Sequence, residues 1–178
     1  MINREKVIIG RTAIARFPAN GSGDVPVKID TGADRSSVWA SRITVDSEGT
    51  LSYVLFDEES PYYTGVTHST TEYTAAVIRS SNGTAQVRYK VAMDIELEGR
   101  VIRASFTLAD RSRNTYPVLI GCTLLRNKFI VDVALESPIQ PAEKNPLRQS
   151  SYQKELHKDP HAFFKKYHKH NRRGDVEL

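Results

Sequence analysis

A single cysteine, Cys122, stands among the 178 residues. No disulfide can therefore form within the chain, and a reducing, cytoplasmic setting is expected. No apolar run approaches the ~20 residues that a membrane-spanning helix needs, so no membrane partner is expected. The N-terminal stretch MINREKVIIGRTAIARF scatters charges among its apolar residues and offers no cleavage site, which does not read as a secretory signal. Metal and phosphate motifs are equally scarce. HExxH is missing, and His157-x3-His161 has Pro160 inside it, which disfavours one continuous helix face. His168 and His170 fall on different sides of a helix, and Gly21-Ser22-Gly23 lacks the GK[ST] ending of a phosphate-binding loop. The chain is expected to need no metal and no cofactor. Internal repeats and low-complexity segments are also missing.

What remains is an ordinary globular composition, 39% hydrophobic and 26% charged, long enough for one domain with an appendage. The net charge of +4 is unevenly distributed. Residues 1–138 hold 16 basic and 16 acidic side chains, whereas residues 139–178 hold 9 and 5, with four of the five histidines. The charge shift after Pro138 predicts a neutral domain over residues 1–137 and a linker with a basic, His-rich tail over 138–178. In that tail Asp159-Pro160 resembles a helix N-cap followed by proline at the first helical position.

Up to about residue 133 the pattern is that of β-structure. Val25, Val27 and Ile29 fall two apart, the period of a strand, with Pro26 implying a strand start or an unpaired side. Ile14 alternates with polar neighbours in TAIARF, SSVWA reads as a short return strand, and LSYVLF as another. Two extended runs flank Asn82-Gly83, a dipeptide suited to a tight hairpin. Glu98-Gly99 makes a second turn before VIRASFTL. YPVLIG is a short apolar strand, and CTLLRNKF places Leu124, Leu125 and Phe129 at helical spacing, a short core helix near 122–129.

The strand through Ile29 runs directly into Asp30-Thr31-Gly32-Ala33. From the triplet alone Asp30 has two readings: an Asx-type turn residue serving its own loop, or one carboxylate of a catalytic pair. Two further blocks bear on the choice. The Asn82-Gly83 hairpin follows the triplet, and Leu119-Ile120-Gly121 follows the hairpin and leads into the helix. In this order the sequence resembles the retropepsin-like aspartic peptidases. KIDTGADRSSVWA, VIRSSNG with Arg88 downstream, and FTLADR…YPVLIG…IVDV make it similar to the bacterial and archaeal family labelled ATP-dependent zinc proteases. The resemblance covers roughly residues 5–133. Two positions depart from the family pattern, with Trp39 where His is expected and Cys122 where Arg is usual.

The resemblance implies a mainly β fold, a closed retropepsin-like (acid protease) barrel with one short core helix and a basic, partly helical C-terminal tail. It also implies an aspartic peptidase. Such chemistry needs two carboxylates close enough to share one proton, and this chain holds only one D-[S/T]-G. The second must come from another copy, so a homodimer with its site on the two-fold axis is expected. The catalytic residues are then Asp30, Thr31, whose hydroxyl bonds across to the partner loop by resemblance, and Gly32, read as opening the tight turn. Substrate contacts are assigned to Ala33, Arg35, Arg79, Ser80, Ser81, Asn82, Gly83 and Arg88. Ser80–Gly83 form either a mobile lid or a plain hairpin tip. The arginines, with Arg111 and Arg113, suit capture of carboxylates on a glutamate-rich peptide or, equally, are solvated strand-face charges. The family is associated with an ATP-grasp ligase that adds glutamates to a ribosomal protein, so a glutamylated ribosomal protein is the implied substrate. The alternative is a non-catalytic peptide-binding or adaptor module serving that ligase. The tail is read first as a solubilising extension, with contact to RNA as the second reading.

Overall fold

The computed structural model describes residues 5–79, 85–135, 155–156 and 158–167. The chain divides into two compact units, Met1–Ala142 and Glu143–Leu178. In the first, β1 (Val7–Ile9), β2 (Thr12–Arg16), β3 (Val25–Asp30), β4 (Ser36–Val45), β5 (Leu51–Leu55) and β6 (Thr67–Thr70) come in succession. They are followed by β7 (Tyr73–Arg79), β8 (Ala85–Leu97), β9 (Arg100–Ala109), β10 (Val118–Gly121), a single-turn helix α1 (Cys122–Leu125) and β11 (Phe129–Val131). The described part of the second unit holds α2 (Pro160–Tyr167). Asp159 Oδ1 accepts the Ala162 N–H at 2.9 Å, which caps the start of α2.

Six strands close into a barrel in the order β10–β3–β2–β8–β9–β4 and back to β10. Closure is possible because β10 has two partners: it runs parallel to β3 and antiparallel to the first residues of β4. A closed ring leaves none of these strands with an open edge along its paired length. The mainly β, closed-barrel class expected from the sequence is what the chain adopts. Val25, Val27 and Ile29 point inward, together with Val38, Ile95, Leu97, Phe106, Val118 and Ile120. Phe17 joins them, edge-on to Phe106 and Phe56 at 6.0 and 6.3 Å. Each fully buried side chain of this size contributes roughly 1.5–3 kcal/mol.

Several local expectations change. In β2 the inward residues are Ala13 and Ala15, while Ile14 is only partly covered and borders a surface hollow shared with Ile8 and Leu135. Pro26 is compatible with its strand because there β3 has only β2 beside it; pairing with β10 begins at Val27. The return strand is ten residues long, not five, because β4 serves two sheets. Ser36–Trp39 pair with β9, and Ala40–Val45 pair with β5 on either side of a register shift near Arg42, whose φ is 50°. The helix is shorter than 122–129. Asn127 takes φ 62° and stops it, and Phe129 enters β11, which pairs in parallel with β1.

The Glu98-Gly99 turn has φ of 49° and 69°, as a two-residue primed hairpin requires. The Asn82-Gly83 tip lies outside the described residues, but β7 and β8 pair antiparallel on either side of it. Residues of β8 before Lys90 pair only with β7, so this ribbon extends past the barrel wall. Among the described residues no helix is long and apolar enough to cross a membrane.

Candidate active site

Asp30 is the last residue of β3 and lies in register with Gly121, the last residue of β10. Two parallel strands ending together leave a gap beyond their tips, and the chain fills it with the loop 31–35. Asp30 Oδ1 accepts the Gly32 N–H at 3.0 Å, and the Ala33 N–H reaches the Asp30 carbonyl at 3.3 Å. This is the Asx-type arrangement that the bland reading required. It fixes the carboxylate's orientation while leaving it partly exposed.

The loop is clamped from the β10 side. The Cys122 N–H donates to the Ala33 carbonyl at 2.8 Å, and the Thr123 N–H and hydroxyl both donate to the Asp34 carbonyl, at 3.0 and 2.6 Å. The Cys122 thiol donates to the Thr31 carbonyl at 3.0 Å. The Gly121 N–H, itself buried, is satisfied by Ser36 Oγ at 3.1 Å, and the Ser36 carbonyl accepts from Thr107 at 3.2 Å.

Gly121 has an ordinary φ of −93°, so its requirement is steric. A Cβ there would sit 2.6 Å from the Arg35 carbonyl carbon and oxygen and 2.7 Å from the Ala33 oxygen. Gly32 was read as the residue that opens the tight turn, yet a Cβ at Gly32 meets only Asp30 Oδ1, at 3.4 Å. Of these two glycines the crowded one is Gly121.

The remaining predicted residues distribute unevenly. Thr31 and Gly32 are exposed beside Asp30, and Ala33 is half-buried. Arg35 is exposed, and its backbone forms the wall against Gly121. Arg88 is half-buried on β8, paired across the ribbon with Ala76. Arg79 ends β7, and Ser80, Ser81, Asn82 and Gly83 lie outside the described residues. Arg111, in the β9–β10 connection, is half-buried and within electrostatic reach of both Arg88 and Asp30. Its pKa is lowered, first by burial and then by Arg88, with Asp30 opposing. The clamp residues Ser36 and Thr123 were not singled out in the sequence. Their partners lie more than 80 residues away, and only the fold brings them in.

One chain thus presents one held carboxylate with the Arg111 guanidinium within electrostatic reach. Such a set can bind and orient an acidic or polar peptide; to share a proton between carboxylates it needs a second Asp30. Among the described residues no three or more His, Cys, Asp or Glu side chains gather to hold a metal ion.

Comparison with known proteins agrees with the fold. Two proteins from Shewanella pealeana and Shewanella halifaxensis, each named probable alpha-L-glutamate ligase, are 30% identical over 130 residues, 71% of this chain and 28% of each relative. A Desulfotalea psychrophila protein of the same name is 24% identical over 156 residues, 86% of this chain and 34% of its own length. The chain therefore spans about a third or less of the curated relatives it matches. A solved structure from Legionella pneumophila, of a protein of unknown function, superposes with a TM-score of 0.54 at 23% identity, covering 74% of this chain and 96% of that one. That likeness is one of fold. Residues 8–142 match the family described as RimB-like, retropepsin-like aspartic endopeptidase RimB, and the chain belongs to that family.

Proposed function

We propose that the protein is an aspartic peptidase whose dyad forms when two copies bring their Asp30 side chains together on a two-fold axis in the cytoplasm. The observation that carries this reading is the clamp between the two strand ends. Asp30 and Gly121 are in register, and the loop between them is tied down by Cys122 and Thr123. A turn residue serving only its own loop does not need a neighbouring strand to surrender a Cβ so that two backbones can meet.

In the dyad, two carboxylates at hydrogen-bonding distance hold one proton between them. The ionised one takes a proton from water as the oxygen attacks the scissile carbonyl, and the protonated one donates to the carbonyl oxygen. Proton transfer to the amide nitrogen then lets the C–N bond break, and the shared proton is restored. Thr31, exposed at the loop tip, bonds across to the second loop and sets the register of the pair. Ala33, Arg35 and Arg88 contact the peptide.

The substrate class we favour is a glutamate-rich protein tail, such as that of a glutamylated ribosomal protein. Arginine near Asp30 supports it, as does the name of the curated relatives, probable alpha-L-glutamate ligase. That same name supports one other reading, a non-catalytic adaptor for glutamate-adding chemistry. Incubating wild type and Asp30→Asn with glutamylated and unmodified tails, and weighing the products, separates the two. The peptidase reading expects shortened tails with wild type only. Intact tails with both proteins, alongside retained binding, sink it.

A further inference from the structure

Three large apolar side chains that the fold leaves in water belong to one strip of surface. Ile8 on β1 and Ile130 on β11 are register partners, so they stand side by side on the same face of that two-stranded sheet, 59% and 54% exposed. Leu135, 48% exposed, borders with Ile8 and Ile14 a hollow of about 490 Å³, within the ~300–1,000 Å³ of ordinary ligand clefts. The wall of the hollow is held in place. The Leu135 carbonyl accepts the Arg11 N–H at 2.9 Å, and the Leu135 N–H reaches the Asp132 carbonyl at 3.2 Å. Gly10 permits this approach, since any side chain there would collide with the Leu135 carbonyl. Apolar surface that is contiguous, exposed and rimmed by polar groups marks a contact site.

The rim selects the occupant. Arg16, Glu96 and Glu98 line the same hollow. Arg16 is already engaged, through Nε with Asp24 Oδ1 at 2.6 Å and through Nη1 with Glu96 Oε1 at 3.3 Å. Glu98, exposed on the β8–β9 turn, has no hydrogen bond or ion pair from its carboxylate among the described residues. Arg100, two residues on, directs its guanidinium to the Glu5 carbonyl at 2.7 Å. Three carboxylates, Asp24, Glu96 and Glu98, thus accompany the one guanidinium of Arg16, and the rim is net negative. An apolar floor under a negative rim is complementary to apolar side chains beside a cation. We propose that the strip is a docking site for an extended segment of another protein, with large apolar residues at two alternate positions and Lys or Arg at the next. Alternation puts all three side chains on one face of the segment. The apolar pair then covers Ile130 and Ile8 and enters the hollow, and the cation meets Glu98. Asp30 and its loop take no part, so the site stands or falls independently of the peptidase reading.

The test titrates the isotope-labelled full chain with blocked peptides and follows its amide resonances. The probes are Leu-Ser-Leu-Ser-Lys and the reverse order Lys-Ser-Leu-Ser-Leu. One of them should shift the amides of Ile8, Glu98, Gly99 and Leu135 to saturation. Replacing its Lys by Gln should weaken binding about twofold to fivefold at low salt, the range for an exposed ion pair, and less as salt is added. Replacing both Leu by Ser should abolish binding. Glu98→Gln should make the Lys and Gln peptides bind alike, and Ile8→Thr should weaken both about threefold to tenfold. Both side chains are exposed, so neither change threatens the fold. No shift at these amides in millimolar peptide overturns the proposal, as does a Lys preference that survives Glu98→Gln. Two further results would also overturn it by naming another occupant. In the free protein, shifts at these amides that follow protein concentration assign the strip to a second copy. Cross-relaxation between Ile8 and the chain's own basic tail assigns it to that tail.

Discussion

Replacing Gly121 by alanine probes the contact on which the site is built. The new Cβ would lie 2.6 Å from the Arg35 carbonyl group, whereas ordinary contact begins near 3.4 Å, so something must move by about 0.8 Å. Both facing groups are backbone, and neither can swing aside as a side chain would. Backbone conformation adds no penalty, since φ of −93° suits alanine. Relaxation therefore pushes the loop 31–35 away from β10. The Cys122-to-Ala33 bond, now 2.8 Å, would stretch towards roughly 3.6 Å, beyond hydrogen-bonding range. Overpacking at about 1–3 kcal/mol and one lost hydrogen bond at about 1 kcal/mol give a destabilisation of roughly 2–4 kcal/mol. For a unit of this size that corresponds to a fall in Tm of about 5–15 °C. A displacement of this scale at the carboxylate should cost about a hundredfold in kcat/KM even where the protein stays folded. Gly23→Ala is the matched control, because a Cβ there meets nothing within 4 Å; it should leave Tm unchanged or slightly raised. Calorimetry and peptide cleavage on the same preparations provide both readings. A Gly121→Ala protein that melts and cleaves like wild type would refute the reasoning.

Ser36→Ala removes the acceptor of the buried Gly121 N–H and should lower stability by about 1–3 kcal/mol, read as a lower urea midpoint at unchanged slope. His68 stacks on Tyr53 at 5.3 Å and its Nε2 bonds Asn20 Oδ1 at 3.0 Å; burial lowers its pKa below 6.5. The unfolded chain then takes up a proton that the folded ring resists. Its contribution to stability is complete above pH 6.5 and is lost as pH falls below that value. His68→Gln should flatten this acid-side decline in urea midpoints measured from pH 8 to pH 5, and an unchanged slope would assign the decline to other groups. Asp30→Asn should keep wild-type Tm, because the amide oxygen still accepts from Gly32, while cleavage vanishes.

The parts of the fold that rest on short-range order were legible in the chain. Val25, Val27 and Ile29 show their period directly, and Glu98-Gly99 is a turn by residue type alone. The Asp30 and Gly121 loops were visible as motifs, and their order along the chain supplied the barrel. What could not be read depends on partners far away in sequence. Phe129 has helical spacing from Leu125, but pairing of β11 with β1 draws it into a strand. In β2 the barrel interior takes the small Ala13 and Ala15, while the larger Ile14 is only partly covered. Ser36 carries no local signature, since it acts through Gly121 far along the chain. The glycine assignment shifted for the same reason: Gly32 belongs to the motif, but Gly121 bears the close approach.

The central claim is that two chains supply one catalytic pair, and subunit mixing tests it most directly. Wild type and Asp30→Asn are co-refolded in equal amounts so that partners randomise, and cleavage is compared with the same total of wild type. If each working site needs two intact aspartates, only about one dimer in four is active and the rate falls to about a quarter. A rate of one half would mean that each chain works alone, and the shared-proton account would be wrong.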